Sequence, residues 1–277
     1  MSEFRAVILD LDGTVVEPTP SALPSERVVN AVKNTVESQT RVSVATGRPY
    51  WMAKNIINRL GVVDFCAING GAEVYDPVKD ERVYYTKIPR LSQRAVVTIC
   101  HNMGIDVYDA ESQVVGTPIE RPSAVDENNV KLFISGLEEI RADELLEELR
   151  PIDDVFPVKS TSWSPGEVVD IHITHNLATK EQTAKAILEA YGIDPDHSIG
   201  IGDSCNDMPL FAVVGRSFAM GNSHIDLKNV ADDVTASLKD DGVAVVLEKF
   251  FPTPASSSIK TQAFSIPAFS PGRVPIA

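Results

Sequence analysis

RAVILDLDGT, residues 5–14, is the stretch that decides the fold. Its first half, residues 5–9, is nearly all apolar, which is typical of a strand buried on both faces of a parallel sheet. Asp10 and Asp12 follow where this strand ends, and Gly13 permits a sharp turn of the backbone. Two carboxylates at one edge repel each other, which favours either a bound cation or a raised pKa of one of them. An acidic turn on the surface is the ordinary alternative for this pattern.

Strands and helices alternate along the chain that follows. A helix is predicted over residues 25–37, because its valines recur on one face. A β-branched run then ends at Thr46, a second helix follows over residues 49–60, and a third apolar run ends at Asn69. Polar residues at the carboxyl ends of such strands predict a doubly wound, parallel-sheet α/β core that binds its ligand at that edge.

Residues 80–175 interrupt this alternation. We interpret them as two copies of an α-β-β unit with one extra strand. They are therefore predicted to form an inserted α+β cap domain with an open antiparallel sheet. Its helices are predicted near residues 91–103 and 142–150, and its strands near 106–108, 113–115, 130–135, 156–160 and 167–173. The alternation of strand and helix returns near residue 180, so the predicted core consists of residues 1–79 and 176–251.

The last segment, residues 252–277, has a different composition. It contains five prolines, five serines and no acidic residue. Such a segment buries too little apolar area to offset the entropy of ordering it. We predict a disordered tail, with local packing of some of it as the alternative.

The composition of the whole chain limits the classes of molecule that it is expected to bind. The 277 residues have a formal net charge of −14, so nucleic acid and anionic membranes are not expected as partners. A small anionic substrate is still compatible, because a local cation can reverse the field inside one pocket. Three cysteines without a CxxC spacing indicate a reducing compartment, and neither a signal sequence nor an apolar run of bilayer length is recognisable. We expect a cytoplasmic protein, and the sequence is compatible with a homodimer.

The segment ATGR places a second set of polar groups at the end of the second strand. The hydroxyl of Thr46, the backbone N–H beside Gly47 and the start of a helix form a cradle for an anion, to which Arg48 adds charge-assisted bonds. Taken alone, a Thr-Gly pair before a helix is also an ordinary turn. The segment therefore predicts an anion site only together with other motifs.

Two further motifs follow the insert. Lys180 begins a predicted helix, a position where a cation opposes the helix dipole, and this unfavourable placement indicates a function. Lys185 is the second candidate for the same function. In the segment GDSCND, Asp203 lies at a strand end, while Asn206 and Asp207 begin a helix predicted to run to residue 214. Helix capping alone would explain an aspartate at position 207.

Together and in this order, the motifs resemble those of the haloacid dehalogenase superfamily of phosphohydrolases. DLDGT, Thr46, Lys180 and GDSCND match its four-motif pattern. INGGAE, AMGNS and DDGVA further resemble the Cof-type, sugar-phosphatase-like group of subfamily IIB, whose α+β cap of type C2 is inserted after the third strand. The resemblance covers residues 5–250 and implies a Rossmann-like core with this cap.

The resemblance also implies a mechanism. Asp10 would be the nucleophile that forms an aspartyl-phosphate, and Asp12 would protonate the leaving group and then take a proton from water. Mg²⁺ would be held by Asp10, Asp12, Asp203 and Asp207, the last of which would alternatively orient a metal-bound water or the motif lysine.

Other residues would bind the phosphoryl group and its ester. Thr46 and Lys180 would act as catalytic groups that neutralise the transferring phosphoryl group. The implied substrate-binding residues are Gly13, Gly47, Arg48, Asn69 and Asn206.

The predicted function is Mg²⁺-dependent hydrolysis of a small phosphorylated metabolite, either a sugar phosphate or a phosphoglycolate-like acid. A phosphomutase of the same fold is one alternative, although its fourth motif is longer than GDSCND. A dehalogenase would not need Asp12. A non-catalytic relative that binds a phosphorylated ligand would not need the complete set of motif residues.

Several residues near the motifs or in the cap are also interpreted. Cys205 is either a neutral filler or an oxidisable thiol beside the site. His172 and His175 are interpreted as ordinary residues, because three positions apart in a strand they would face opposite ways. Lys159 and Asp170 are examples of cap residues expected to contact the part of the substrate that differs between esters.

Overall fold

The computed structural model describes residues 3–110, 118–252, 267 and 269. It shows a parallel central sheet flanked by helices and two antiparallel sheets, of three and four strands, which confirms the predicted α/β class. The strands are β1 (Ala6–Leu9), β2 (Arg41–Val44), β3 (Cys66–Ile68), β4 (Glu73–Asp76), β5 (Glu81–Tyr85), β6 (Tyr108–Asp109), β7 (Lys131–Glu138), β8 (Phe156–Thr161), β9 (Val168–Thr174), β10 (Ser198–Gly202), β11 (Arg216–Ala219) and β12 (Asp233–Val234). The α-helices are α1 (Glu26–Glu37), α2 (Tyr50–Leu60), α3 (Arg90–Asn102), α4 (Glu139–Leu149), α5 (Lys180–Ala190), α6 (Met208–Phe211), α7 (Ile225–Val230) and α8 (Gly242–Phe250).

The core sheet has the strand order β12-β11-β10-β1-β2, and all of its pairs are parallel. β1 lies between β10 and β2, with Leu9 opposite Ile201 on one side and Val44 on the other. An isolated parallel bridge between Ala45 and Ala67 brings β3 beside β2. This register places the carboxyl ends of β1, β2 and β10 at one edge of the sheet.

Side chains of β1 alternate between two apolar layers. Val7 and Leu9 pack with α1, α2 and α8, whereas Ala6 and Ile8 pack with α5, α6 and α7. Because both faces are covered by helices, the strand is apolar throughout its length. The first polar side chain therefore appears only where the strand ends.

The cap sheet has the order β6-β7-β9-β8 and is antiparallel. Leu132 and Ile134 of β7 pack with α3 and α4, as do Ile171 and Ile173 of β9. Because side chains alternate along a strand, the intervening residues lie on the opposite face, which is turned toward the core. The cap is therefore apolar on its helical side and polar on its core side.

Some local structure differs from the predictions. β4 and β5 form a hairpin that pairs with β3, and the predicted boundary at residues 79 and 80 lies in the turn of this hairpin. The helix predicted over residues 206–214 is the short α6 after a 3-10 turn, and α7 was not predicted. The strand predicted at residues 113–115 lies outside the described residues. The division into core and cap stays a prediction.

One residue of the tail packs on the core. The ring centroid of Phe269 lies 5.1 Å from that of Phe65, and the two planes meet at 79°. Tyr84 contacts the same ring. This position agrees with local packing of the tail, whereas residues 253–266, 268 and 270–277 lie outside the described part of the chain. Of the helices described, none is both long and apolar enough to cross a membrane.

Candidate active site

Polar side chains from different strands meet at the carboxyl edge of the core sheet. Asp10 follows β1, Thr46 comes shortly after β2, and Asp203 follows β10. Lys180 is the first residue of α5, whose preceding residue, Thr179, caps the helix by accepting a hydrogen bond from the backbone of Gln182 at 3.3 Å. The parallel register and this cap bring the motif residues together.

Lys180 lies at the centre of this arrangement. Its Nζ donates to Asp10 Oδ1 and to Asp207 Oδ1, each at 2.6 Å, and the residue is 2% exposed. Although burial lowers it, the two carboxylates raise the pKa of Lys180 above its ordinary value. The lysine is thus held in its charged form at a helix start by two ion pairs. Lys185 instead forms a half-exposed pair with Glu181 at 2.6 Å.

Asp207 organises the loop that follows β10. Its Oδ2 accepts hydrogen bonds from the backbone N–H of Asp203 at 3.0 Å and of Ser204 at 3.1 Å. Its Oδ1 accepts from Lys180, so both oxygens already have partners. A side chain at Gly202 would overlap the Asp207 carboxylate, which explains the glycine before the motif aspartate.

Three carboxylates of the site could hold a cation. Asp10, Asp203 and Asp207 each place an oxygen within 4.8 Å of the others, and all three are buried. Burial, with the Asp207 carboxylate next, raises the pKa of Asp10 to about 7. Burial and then the Asp10 carboxylate raise the pKa of Asp203 well above its ordinary value. Asp203 Oδ1 is also buried, with no hydrogen-bond partner in the described part of the chain.

These observations fit a divalent cation bound between the carboxylates. A cation would offset the repulsion between the carboxylates, and the Asp203 oxygen could bind it as a ligand. Gly13, at φ +74°, lies so close to Asp203 that a side chain there would overlap its carboxylate. A second set of possible ligand atoms, on Cys205, His224 and Asp226, also lies within 4.8 Å, but its histidine and aspartate are exposed.

Asp12 is held by Arg48. The guanidinium donates from Nε to Asp12 Oδ2 at 2.9 Å and from Nη2 to Asp12 Oδ1 at 2.6 Å. Nη2 also donates to the carbonyl of Thr19 at 2.9 Å, whereas Nη1 is buried and has no partner among the residues that the structure describes. The Trp163 ring of the cap covers Arg48, with its centroid 4.8 Å from the guanidinium carbon. Arg48 therefore links the predicted acid/base residue to the cap.

The other predicted phosphate-binding residues surround the end of β2. Thr46 is fully buried, and its hydroxyl accepts the backbone N–H of Arg48 at 3.1 Å. Asn69 has a positive φ of 53°, and its amide donates to Glu73 at 2.8 Å. Gly47 lies under the cap, since a Cβ there would be 2.7 Å from His172 Cε1.

Asn206 connects the core to the cap. Its Nδ2 donates to the hydroxyl of Ser160 on β8 at 3.0 Å, and its Oδ1 is buried with no partner within residues 3–110 and 118–252. A cavity of about 750 Å³ opens beside this contact, lined by residues of the core such as Gly13 and Asp203 and by Ser160 of the cap. The cavity provides room for a small ester next to the carboxylates.

The structure adds residues that the sequence did not single out. Lys131 of β7 donates to the carbonyl of Gly47 at 2.6 Å, although nothing in its local sequence indicates this contact. His172 lies over Gly47, whereas the ring of His175 accepts the backbone N–H of Leu177 at 3.0 Å. The two histidines therefore have separate environments, as strand alternation predicts.

The environment of Cys205 disfavours an oxidisable thiol. Burial, followed by the carboxylate of Asp226, raises the pKa of the thiol. Its sulfur lies 3.8 Å from His224 Nδ1. Reactive thiols generally have a lowered pKa and cationic neighbours.

A sequence model described as haloacid dehalogenase-like hydrolase matches residues 7–131 and 109–247. These ranges include every motif residue of the site. The chain belongs to the haloacid dehalogenase-like hydrolases. This membership confirms the resemblance found in the motifs and the prediction of a hydrolytic enzyme.

Named relatives of this hydrolase are phosphatases. It is 24% identical over 265 residues to the 5-amino-6-(5-phospho-D-ribitylamino)uracil phosphatase YitU of Bacillus subtilis strain 168, covering 88% of this chain and 97% of that protein. It is 24% identical over 247 residues to the phosphoglycolate phosphatase of Methanothermobacter thermautotrophicus, covering 89% and 99%. Among solved structures, the subclass IIB sugar phosphatase BT4131 has a TM-score of 0.73 at 20% identity, covering 89% of this chain and 98% of that one. That structural likeness confirms the Rossmann-like core with a cap.

Proposed function

We propose that this hydrolase is a Mg²⁺-dependent phosphatase that cleaves a small phosphorylated metabolite through an aspartyl-phosphate on Asp10. The observation that supports it most directly is the buried lysine placed between two carboxylates at the sheet edge. Lys180 lies 2.6 Å from Asp10 Oδ1, while Asp10 is 4% exposed and lies within 4.8 Å of the Asp203 carboxylate, whose Oδ1 has no partner among the described residues. Such a group of charges is costly in a folded protein unless it acts on a ligand.

In the proposed mechanism Asp10 attacks phosphorus, and its ion pair with Lys180 fixes the orientation of the attacking oxygen. The ammonium group lies where it can also neutralise a phosphoryl oxygen, which is how protein groups accelerate phosphoryl transfer. Asp10 and Asp203 would hold Mg²⁺, together with the backbone carbonyl of Asp12 implied by the motif. When bound, the ion supplies positive charge for the phosphoryl oxygens. Asp207 would position Lys180 and the 203–204 backbone.

Asp12 is proposed as the proton donor to the leaving group and the proton acceptor from water. In this conformation Arg48 holds both of its carboxylate oxygens, so Asp12 cannot reach a leaving group until that pair loosens. Nη1 of Arg48, which has no partner among the described residues, can donate to a phosphoryl oxygen in place of the pair. We infer that phosphate binding draws Arg48 away from Asp12. Thr46, Gly47 and Asn206 would complete the phosphate cradle.

The proposed substrate is a small ester, because the cap covers the site and the adjoining cavity is about 750 Å³. The named relatives act on such esters, which supports a sugar phosphate or a phosphoglycolate-like acid. The phosphomutase remains the alternative with the same nucleophile. The position of Asp12 beside the site supports neither a dehalogenase nor a protein that only binds its ligand. A cytoplasmic location and a homodimer stay predictions.

The test is hydrolysis of p-nitrophenyl phosphate by the purified chain. EDTA should abolish turnover and added Mg²⁺ should restore it, since the carboxylate cluster needs a cation. Asp10→Asn serves as the inactive control. Full activity in EDTA would contradict the metal assignment, whereas transfer of the phosphoryl group to a sugar acceptor rather than to water would favour the phosphomutase.

A further inference from the structure

Cys205 lies beside His224 and Asp226 in the wall of the cavity that adjoins the carboxylate cluster. The three side chains come from two segments of the chain, the 3-10 turn after β10 and the start of α7. One possible ligand atom of each lies within 4.8 Å of the other two. The mechanism proposed above uses none of them. They form a second cluster of possible metal ligands, which has no residue in common with the first.

The distances within this second cluster match those of a tetrahedral zinc site. Cys205 Sγ lies 3.8 Å from His224 Nδ1, and the same nitrogen lies 3.4 Å from Asp226 Oδ2. With Zn–S bonds of about 2.3 Å and Zn–N and Zn–O bonds of about 2.0 Å, tetrahedral angles separate sulfur from nitrogen by about 3.6 Å and nitrogen from oxygen by about 3.3 Å. The three atoms could therefore bind one ion after only small shifts.

The donor atoms distinguish this cluster from the buried carboxylates. A thiolate and an imidazole are ligands that suit Zn²⁺, whereas Mg²⁺ prefers oxygen ligands throughout. Asp10, Asp203 and Asp207 offer oxygen only. The two clusters should therefore select different ions from the same solution.

Both segments that carry these ligands are fixed to the end of β10. The backbone N–H of His224 donates to the carbonyl of Asp203 at 3.2 Å. The turn that contains Cys205 is fixed by a capping box, in which Ser204 and Asp207 exchange hydrogen bonds between side chain and backbone. The cluster is therefore held in place by the structure around it, which lowers the entropic cost of binding an ion.

The imidazole of His224 can exchange its present contact for a metal ion. Its Nδ1 accepts the backbone N–H of Asp226 at 3.3 Å, which is long for a hydrogen bond. Breaking this bond would leave one backbone N–H at the exposed start of α7, where water can replace the acceptor. The lone pair of Nδ1 is therefore available to an ion at little cost.

We propose that Cys205, His224 and Asp226 bind a Zn²⁺ ion in the wall of the cavity. On binding, the thiol of Cys205 releases its proton to solvent, and a sulfur–zinc bond forms in its place. Three protein ligands leave the fourth position of a tetrahedral ion to water, as in open zinc sites. All three residues line the cavity, so that position is accessible to molecules that enter it. This inference does not depend on the proposed phosphatase function.

Co²⁺ serves as the spectroscopic probe, because it replaces Zn²⁺ in such sites and its bond to a thiolate gives a charge-transfer absorption in the near ultraviolet. The wild-type chain is titrated with Co²⁺ in excess Mg²⁺, so that the carboxylate cluster is already occupied. The charge-transfer band should appear and saturate, and added Zn²⁺ should abolish it by displacing Co²⁺. Carboxylates alone give no such band, so Co²⁺ bound at Asp10 and Asp203 would not produce it.

Three variants each remove one ligand. Cys205→Ser should abolish the band, and His224→Ala and Asp226→Asn should each weaken Co²⁺ binding at least about tenfold, since changes even next to a metal ligand typically cost that much. His197→Ala is the matched control, because His197 is an exposed histidine in a turn that contains Asp196 but no cysteine. It should leave the Co²⁺ affinity unchanged. Melting temperatures without added metal should be similar for all four variants.

A measurement on the wild-type chain needs no variant. Zn²⁺ in excess Mg²⁺ should slow the alkylation of Cys205 by iodoacetamide, followed by mass spectrometry of its peptide, because a zinc-bound sulfur is no longer available to the reagent. An alkylation rate that Zn²⁺ leaves unchanged would overturn the proposal.

The absence of the Co²⁺ band from the wild-type chain would also overturn it. A band that persists in Cys205→Ser would do the same, because it would come from another cysteine, and so would an equal Co²⁺ affinity in the wild-type chain and in His224→Ala. None of these measurements uses hydrolysis of an ester. Failure of the zinc site and failure of the proposed phosphatase are therefore separate results.

Discussion

Lys180 of the core and Lys131 of the predicted cap are both buried, and the two lysines have opposite surroundings. Lys180 of the core has two carboxylates at 2.6 Å, which raise its pKa. Lys131 of the cap has a backbone carbonyl at 2.6 Å and a lowered pKa of about 7. The core lysine is ion-paired, whereas no carboxylate of the described residues lies within ion-pair distance of the cap lysine. Replacing the two lysines should therefore affect the stability of the chain differently.

The largest effect should come from the two motif aspartates. Asp10→Asn removes the nucleophile and should leave no detectable turnover of any ester and no covalent phosphate. Asp12→Asn retains the nucleophile but lacks the proton donor, so turnover should fall about 10²- to 10⁴-fold. The measurements are steady-state rates with Mg²⁺ and mapping of the trapped phosphoenzyme by mass spectrometry. Covalent phosphate on a residue other than Asp10 would contradict the mechanism.

The next effect distinguishes the two lysines by stability. Lys180→Met leaves Asp10 and Asp207 buried without their cation and should lower the free energy of unfolding by about 3–5 kcal/mol. It should also lower kcat/KM for all esters by about 10²- to 10³-fold. Lys131→Met removes a buried charge that has no ion-pair partner among the described residues, and it should leave the stability unchanged or higher. Urea denaturation of both variants at pH 7 measures the difference, and equal destabilisation would remove the contrast between core and cap.

A smaller effect concerns pH and the metal. Because the pKa values of Asp10 and Asp203 are raised from 3.8 in the folded chain, to about 7 for Asp10, the metal-free protein should lose stability as pH rises from about 4 to about 7, and further at higher pH where Asp203 ionises. Asp203→Asn should stabilise the chain in EDTA at pH 8 by about 1–3 kcal/mol, and by less at pH 5. Melting temperatures across this pH range, with EDTA and with Mg²⁺, test whether stability falls or rises with pH. A wild-type chain that gains stability with pH in EDTA would contradict the repulsive cluster.

The smallest effect lies outside both regions. Phe269 packs edge-on against Phe65, so Phe269→Ala should lower the free energy of unfolding by about 1 kcal/mol. Turnover of p-nitrophenyl phosphate should stay the same, because neither ring lines the site. Denaturation and kinetics of the variant together provide the check, and an unaltered stability would show that this contact is not made in solution.

The sequence alone predicted the core and most of the core side of the site. The apolar strand before Asp10 and the polar residues after β2 and β10 are local patterns, and parallel register then brings strand ends together. Lys180 could be singled out because a lysine at a helix start is locally unfavourable. Each of these inferences depends on residues close together in the chain.

Only the tertiary structure decided which groups pair with which. Arg48 was predicted to bind phosphate, yet it holds Asp12, 36 positions away. Lys131 looked like an ordinary strand residue until the cap placed it on Gly47. Lys159, expected to contact substrate, lines the cavity, and its charge is paired with Glu139 and Asp143 of α4. Sequence patterns report burial and local geometry, whereas a buried charge is stabilised by partners that distant segments bring within hydrogen-bond distance, so pairing is a property of the packed chain.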